Sequence, residues 1–474
     1  MRYEVVMGLE VHVELSTESK LFCSCSAKFG ADPNENTCPA CIGMPGFPPV
    51  VNKRAIELAI AAGIVTNCTV SNIISFDKKN YFYPDLPTGY QTTQFFAPIC
   101  TDGAVELESG KRITLKQIHI EEDAGKLVHE PRSRTSLVDL NRASVPLIEI
   151  VSNPDFSTAD EVTEYLDKLR LLLSFAGVSD CKMQEGSMRC DINLSVREEG
   201  SKILGTRTEI KNMNSLKAIA RAIEYESQRH IDALETGSEE LVQETRRWDD
   251  DIGMSYSMRE KVGEADYRYV PDPDIMPIHI DASWVESVRE SLPEPAHVKY
   301  ERMTSELGLP IHDSKVISGS QTLSRIFDEA LEVVEKPKQV SNWIIGELLA
   351  ITKDLNISDD DISIDSVKFA SIIKLVDEGK INRSVGKKVL EKVFSDNIEP
   401  EAYIEEHSLG MVSDTGFLES AIREVLAENE KSVAEFRGGS QKVFGFLVGQ
   451  AMKKTAGKAD PRSVNELLRE MLAE

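Results

Sequence analysis

Residues Gly8-Leu9-Glu10-Val11-His12-Val13-Glu14-Leu15 alternate apolar and polar without a break, and that period constrains the chain more than any other feature. A β-strand turns every second side chain to the same face. Leu9, Val11, Val13 and Leu15 are therefore expected to enter a core, with Glu10, His12 and Glu14 on the opposite face. Two carboxylates and an imidazole in a row suit a divalent cation that handles phosphate oxygens, because such cations take carboxylate oxygen and tolerate a neutral imidazole. The octapeptide also reads as a half-buried strand whose polar face meets water.

The alternation returns later in the chain. Gln117-Ile118-His119-Ile120 runs into Glu121, Glu122 and Asp123, three acids that repel one another unless a cation sits among them or the turn is solvated. Met188 to Val196 would set Arg189, Asp191, Asn193 and Ser195 on one side, and Arg207 to Ser215 repeats the theme. The repetition favours one composite site assembled on a sheet. Between these strands, Asp77 to Gln91 is rich in aromatics, lysines and amides, and its prolines forbid a long helix. It reads as a pocket lining or as an aromatic-stapled loop.

Cys23-Ser24-Cys25 and Cys38-Pro39-Ala40-Cys41 form two knuckles separated by a short loop, a spacing that lets four sulfurs converge on one tetrahedral zinc. Free thiols are the alternative. Four thiolates close the metal's shell, so such a zinc is structural. Cys68, Cys100, Cys181 and Cys190 lack this spacing and read as small core residues.

A chain of 474 residues, 41% of them hydrophobic, is expected to fold as roughly two to four domains. It has no apolar run that could span a bilayer, and Met1-Arg2-Tyr3-Glu4 leads into a strand and not a signal peptide. A cytoplasmic protein with no membrane partner is expected. The net charge of -25 excludes a protein that simply coats nucleic acid, since such binding neutralises phosphates with Lys and Arg.

Helical spacing covers 52–62, where Gly63 would stop the helix, then 160–176, ahead of Gly177, and about 216–234. Composition shifts near Leu292-Pro293, and helical patterns follow at 342–351, 367–378 and 385–394. Domains are expected at 1–293, 294–407 and 408–474, and Asp359-Asp360-Asp361 reads as an acidic turn that starts a helix. In the last segment Arg437, Lys442, Lys453, Lys454, Lys458 and Arg462 crowd together, offering backbone phosphates a landing surface or forming an ordinary exposed face. There is no G-x-x-x-x-G-K-[ST] loop and no G-x-G-x-x-G after a strand, so ATP would be held through metal and basic side chains. No Ser or Cys sits in a recognisable nucleophile motif.

Taken together, GLEVHVEL (8–15), KLFCSCSAKFGADPNENTCPACIGMPG (20–46), KNYFYPDLPTGYQ (79–91), HIEEDAGK (119–126), MQEGSMRCDINLSV (183–196), TEIKNMNS (208–215), DYRYVPDPD (266–274) and GFLVGQAMKKTAGKADP (445–461) resemble the GatB family of proteins from tRNA-dependent amidotransferases. The resemblance runs nearly the whole chain. It implies an α+β cradle domain with a mixed sheet like that of glutamine synthetase, then an all-α domain and a small helical tail that grips tRNA. It implies a ligase that uses ATP and Mg2+ to phosphorylate Glu on tRNA(Gln), Asp on tRNA(Asn), or both. Ammonia from an amidase partner, GatA, then displaces the phosphate in a heterotrimer completed by the small protein GatC.

Carried over position by position, Glu10, His12, Glu122 and Glu185 are the expected magnesium ligands, with Glu121 and Asp191 close by and Lys79 and Arg189 facing phosphate. In the tail, Arg437, Lys442, Lys453, Lys454 and Lys458 are expected at the tRNA. Many relatives lack the four cysteines, so zinc is a local variation. Thr88 stands where Lys is common and where the ammonia path is expected, which puts a charged gate there in doubt. Two other readings stay open: a zinc-knuckle tRNA-binding scaffold without chemistry, and a stand-alone ATP-dependent carboxylate-amine ligase.

Overall fold

The computed structural model describes residues 3–129, 135–260, 267–410, 415–437, 442–455 and 461–473. The expected strand at the N-terminus is β1 (Tyr3–Glu14), and it lies in the middle of a mixed sheet of nine strands. The others are β2 (Thr69–Val70), β3 (Cys100–Glu106), β4 (Arg112–Glu122), β5 (Pro146–Ser152), β6 (Met188–Glu198), β7 (Thr208–Lys211), β8 (Glu244–Asp249) and β9 (Met254–Glu260). Their spatial order is β9-β8-β7-β6-β1-β5-β4-β3-β2, antiparallel throughout except for the β7–β8 pair.

Leu9, Val11, Val13 and Leu15 are at most 4% exposed, so the period-2 pattern divides the faces as expected. Each such side chain contributes about 1.5–3 kcal/mol by leaving water. Val288 of the helix Ala282–Ser291 joins this apolar layer, and three longer helices pack into it: α1 (Lys53–Val65), α2 (Ala159–Phe175) and α3 (Leu216–Thr236). Asn52, Thr158 and Ser215 cap the first turns of α1, α2 and α3 by accepting from Arg54, Glu161 and Ala218 backbone N–H groups.

Gly63 does not end α1, as its residue type suggested; the helix runs on to Val65. A Cβ at Gly63 would lie 2.4 Å from the Cys100 sulfur, so glycine is needed for the approach of helix to β3. Gly63→Ala is expected to lower stability by about 1–2 kcal/mol, overpacking outweighing the gain in helix propensity. Urea unfolding checks this: Gly63→Ala with Cys100→Ala should recover the midpoint, and an unshifted midpoint for the single variant would contradict the contact.

Against β7 and β8, Glu226 and His230 of α3 are fully buried beside Arg229, Arg246 and Glu244. Burial and the Arg229 guanidinium push His230 down to about 4 from 6.5. A base with a depressed folded pKa stabilises the fold above 6.5, and that contribution declines as pH falls towards 4. Between pH 7 and pH 5 the loss is about 2 kcal/mol by linkage. Urea midpoints at the two pH values should fall further for the wild type than for His230→Gln, and parallel falls would contradict the assignment.

The chain divides into compact units at Met1–Pro295 and Ala296–Glu474. The second unit is helical among its described residues and has two separate hydrophobic clusters, one from Met303 to Ile404 and one from Leu418 to Leu472. Asp359–Asp361 forms a single 3-10 turn, and the next helix starts later, at Ser366, capped by Asp365. Among the described residues no helix is long and apolar enough to cross a membrane.

Candidate functional site

The polar face of the central strands carries a row of charged groups. Register places His119 opposite Glu149, Glu149 opposite His12, and His12 opposite Arg189, across four adjacent strands. His12 Nε2 lies 3.6 Å from Glu121 and 3.5 Å from Glu149. His119 Nε2 lies 3.6 Å from Glu121 and 3.1 Å from Glu149. Burial would lower both imidazoles, but Glu149 and Glu121 outweigh it and raise them to about 9 and about 10. Against its own burial, Glu149 is held well below the usual carboxylate range by His119 and His12. The ligand atoms of His12, Glu121 and Glu149 lie within 4.8 Å of one another, a set that fits a divalent cation taken up in exchange for the His12 proton.

A second set, Glu10, Asp191 and Glu209, meets the same distance on the neighbouring strands. Lys211 pairs with Asp191 and, at 3.3 Å, with Glu209. Asn193 donates to Glu10 at 3.0 Å. Desolvation and the nearby acids, Glu149 first, push the Glu10 carboxyl up. At the other end of the row, Arg189 donates to Asp123 at 2.9 Å, and Arg142 lies 3.4 Å from the same carboxylate. Burial and Asp123 push Glu14 up to about 7.

Lys79 approaches from a short sheet formed by Asp77–Asn80, Tyr90–Thr93 and Val270–Pro271. Its ammonium sits 4.9 Å over the Tyr267 ring and 6.0 Å from Tyr81. Burial alone would lower its pKa, yet Glu121, Tyr269 and Glu149 hold it above the usual value. Leu86, Pro87, Thr88 and Tyr90 of the aromatic-rich segment line a cavity, while Tyr81 packs edge-on against Tyr267, so the segment has features of both its readings.

The four magnesium ligands expected from the resemblance are not gathered into one group. Glu122 faces away from Glu121, as consecutive strand residues must, and accepts from the Thr92 N–H at 2.8 Å. It lines a cavity of about 420 Å³ with Gly43, Thr88, Asp123 and Asp272. Glu185 sits in the turn before β6, 44% exposed and 3.3 Å from Lys182. Glu10 joins Asp191 and Glu209, and His12 joins Glu121 and Glu149. Glu149, His119, Glu209 and Lys211 were not singled out from sequence. The available cue was one acid, Glu149, inside the apolar run Pro146 to Ile150.

The four knuckle sulfurs, of Cys23, Cys25, Cys38 and Cys41, also lie within 4.8 Å of one another. An all-thiolate donor set that closes to tetrahedral distance fits zinc. In the tail, Arg437 and Lys453 are exposed, whereas Lys454 is paired with Glu424 at 3.0 Å and Glu428 at 2.6 Å. That pairing leaves Lys454 a weaker phosphate ligand than its sequence context suggested. Lys458 and the side chains of Lys442 and Arg462 lie outside the described residues.

Residues 5–286 match the family described as the GatB/GatE catalytic domain, and residues 325–472 match the GatB domain. The chain is 51% identical over 474 residues to a Lachnoclostridium phytofermentans protein named as the B component of an aspartyl/glutamyl-tRNA(Asn/Gln) amidotransferase, covering 99% of both chains. Proteins of the same name from Caldicellulosiruptor bescii and Thermoanaerobacter pseudethanolicus are 49% and 48% identical, with 99% or more of each chain covered.

Proposed function

Because this chain belongs to the GatB family, we propose that it is the component of a tRNA-dependent amidotransferase that activates and amidates misacylated tRNA. The side-chain carboxylate of Glu on tRNA(Gln), or of Asp on tRNA(Asn), would attack the γ-phosphorus of ATP and release ADP. Ammonia from an amidase partner (GatA, with GatC) would then add at the acyl carbon, phosphate would leave, and the extra proton would pass to a base. The observation that carries this reading is the pairing of two carboxylate sets, His12–Glu121–Glu149 and Glu10–Asp191–Glu209, with Lys79, Arg189 and Lys211 around them.

Phosphoryl transfer to a carboxylate crowds anionic oxygens together, and only divalent ions and cationic side chains can neutralise them. The two carboxylate sets would hold Mg2+, which would supply that neutralisation when bound. Lys79 and Lys211 would orient phosphate oxygens from opposite sides of the row. Acyl phosphates hydrolyse, so ammonia must arrive without water. The cavity beside Thr88 and Glu122 is the entry we assign to it. Arg437 and Lys453, with Lys442 and Lys458, would meet the tRNA backbone, and the four cysteines would hold a structural zinc.

Radiolabelled ATP tests the reading in the assembled complex. ADP should form only when Glu-tRNA(Gln) or Asp-tRNA(Asn) is present, followed by amidated tRNA. tRNA binding indifferent to Mg-ATP, with no ATP cleavage, would instead indicate a scaffold. Amidation from added ammonium by this chain alone would indicate a stand-alone ligase.

A further inference from the structure

Lys20 has no exposed surface, yet among the described residues no carboxylate pairs with it. Its ammonium donates to the Leu140 carbonyl at 3.1 Å and reaches the Cys41 sulfur at 3.7 Å. A buried ammonium is strongly disfavoured without a counter-charge. Among the described contacts, the Cys41 sulfur is the group beside it that can carry negative charge. A dication held by four thiolates keeps an excess of negative charge, so each partner supplies what the other lacks.

The same contact joins two segments of chain. Asn34 donates to Asp139 at 3.1 Å and accepts from the Leu140 N–H at 2.8 Å, while the Asn36 N–H donates to Asn141 at 2.8 Å. Asn141 in turn donates to the Asp32 carbonyl at 2.7 Å, and the Leu21 N–H donates to Ser144 at 2.8 Å. Arg142 follows directly, and it shares Asp123 with Arg189 of the charged row. The knuckle thus pins the segment from Asp139 to Ser144, which carries one arm of the site.

We propose that Lys20 is the outer-shell counter-charge of a tetrathiolate metal site, and that it links metal loading of the knuckle to the order of Asp139–Ser144. The inference rests on the zinc reading, and the experiment separates the two. Zinc content and zinc affinity, the latter by competition with a chromophoric chelator, are measured on the full chain for wild type, Lys20→Met and Lys20→Arg. Amide hydrogen exchange is followed at Asn36, Leu140 and Asn141 with and without zinc.

Lys20→Met is expected to fill at saturating zinc but to bind it about 10- to 100-fold more weakly, as loss of an outer-shell partner does. Lys20→Arg should recover most of the affinity. Stripping zinc from the wild type should speed exchange at the three amides, and Lys20→Met should show that faster exchange even when loaded. Wild type that binds no zinc overturns the zinc reading and the inference with it. Zinc-loaded wild type with unchanged affinity in Lys20→Met, or with exchange indifferent to stripping, overturns the role of Lys20 alone. If Lys20→Met does not fold, the exchange of zinc-stripped wild type decides.

Discussion

Glu149→Gln in the assembled complex is expected to slow amide formation by about 100-fold or more, the scale seen when one preorganised electrostatic group is removed from a reacting centre. Glu149 approaches both imidazoles more closely than Glu121 does, at 3.5 Å from His12 and 3.1 Å from His119 against 3.6 Å for Glu121 to each. The amide keeps the shape and removes the charge, so the histidines lose the anion that holds them and a cation loses a ligand. Glu185→Ala should by contrast stay within about threefold of wild type, as a surface substitution away from packed groups does. Initial rates at saturating Mg-ATP, with circular dichroism to check folding, provide the measurement. Equal losses for the two variants would contradict the site.

Cys38→Ser is expected to reduce zinc from about one per chain to almost none and to open the loop from Lys20 to Gly46. Four-thiolate zinc sites in small domains contribute on the order of 10 kcal/mol to their own folding, more than the few hydrogen bonds that tie Asn34, Asn36 and Leu21 to the segment Asp139–Ser144. The loop is poor in regular structure, and Phe29, Met44 and Phe47 are more than half exposed. Elemental analysis gives the zinc content, and limited proteolysis reads the opening as new cleavage between Cys25 and Cys38. A full zinc complement in Cys38→Ser, or an unchanged digest, would count against the assignment.

The strand faces were legible because alternation is local. Leu9, Val11 and Val13 had to share a side, and so did Glu10, His12 and Glu14. The cysteine cluster was legible for the same reason, since its spacing already limits where the sulfurs can go. Pairing between strands was not legible. Glu149 looked like one charge in a buried strand until register set it between His12 and His119. In the triplet Glu121-Glu122-Asp123, parity decides which acid joins the row, and a shift of one residue reverses the face. The resemblance favoured Glu122, whereas the sheet turns Glu121 inward. Gly63 misled because glycine ends many helices, and here it makes room for a sulfur.

Anomalous diffraction from crystals of the assembled complex soaked in Mn2+ tests the central claim most directly. The account predicts a manganese peak bonded to His12, Glu121 and Glu149 on the polar face of the sheet. A peak held instead by Glu122 and Glu185, or no manganese on that face, would contradict it.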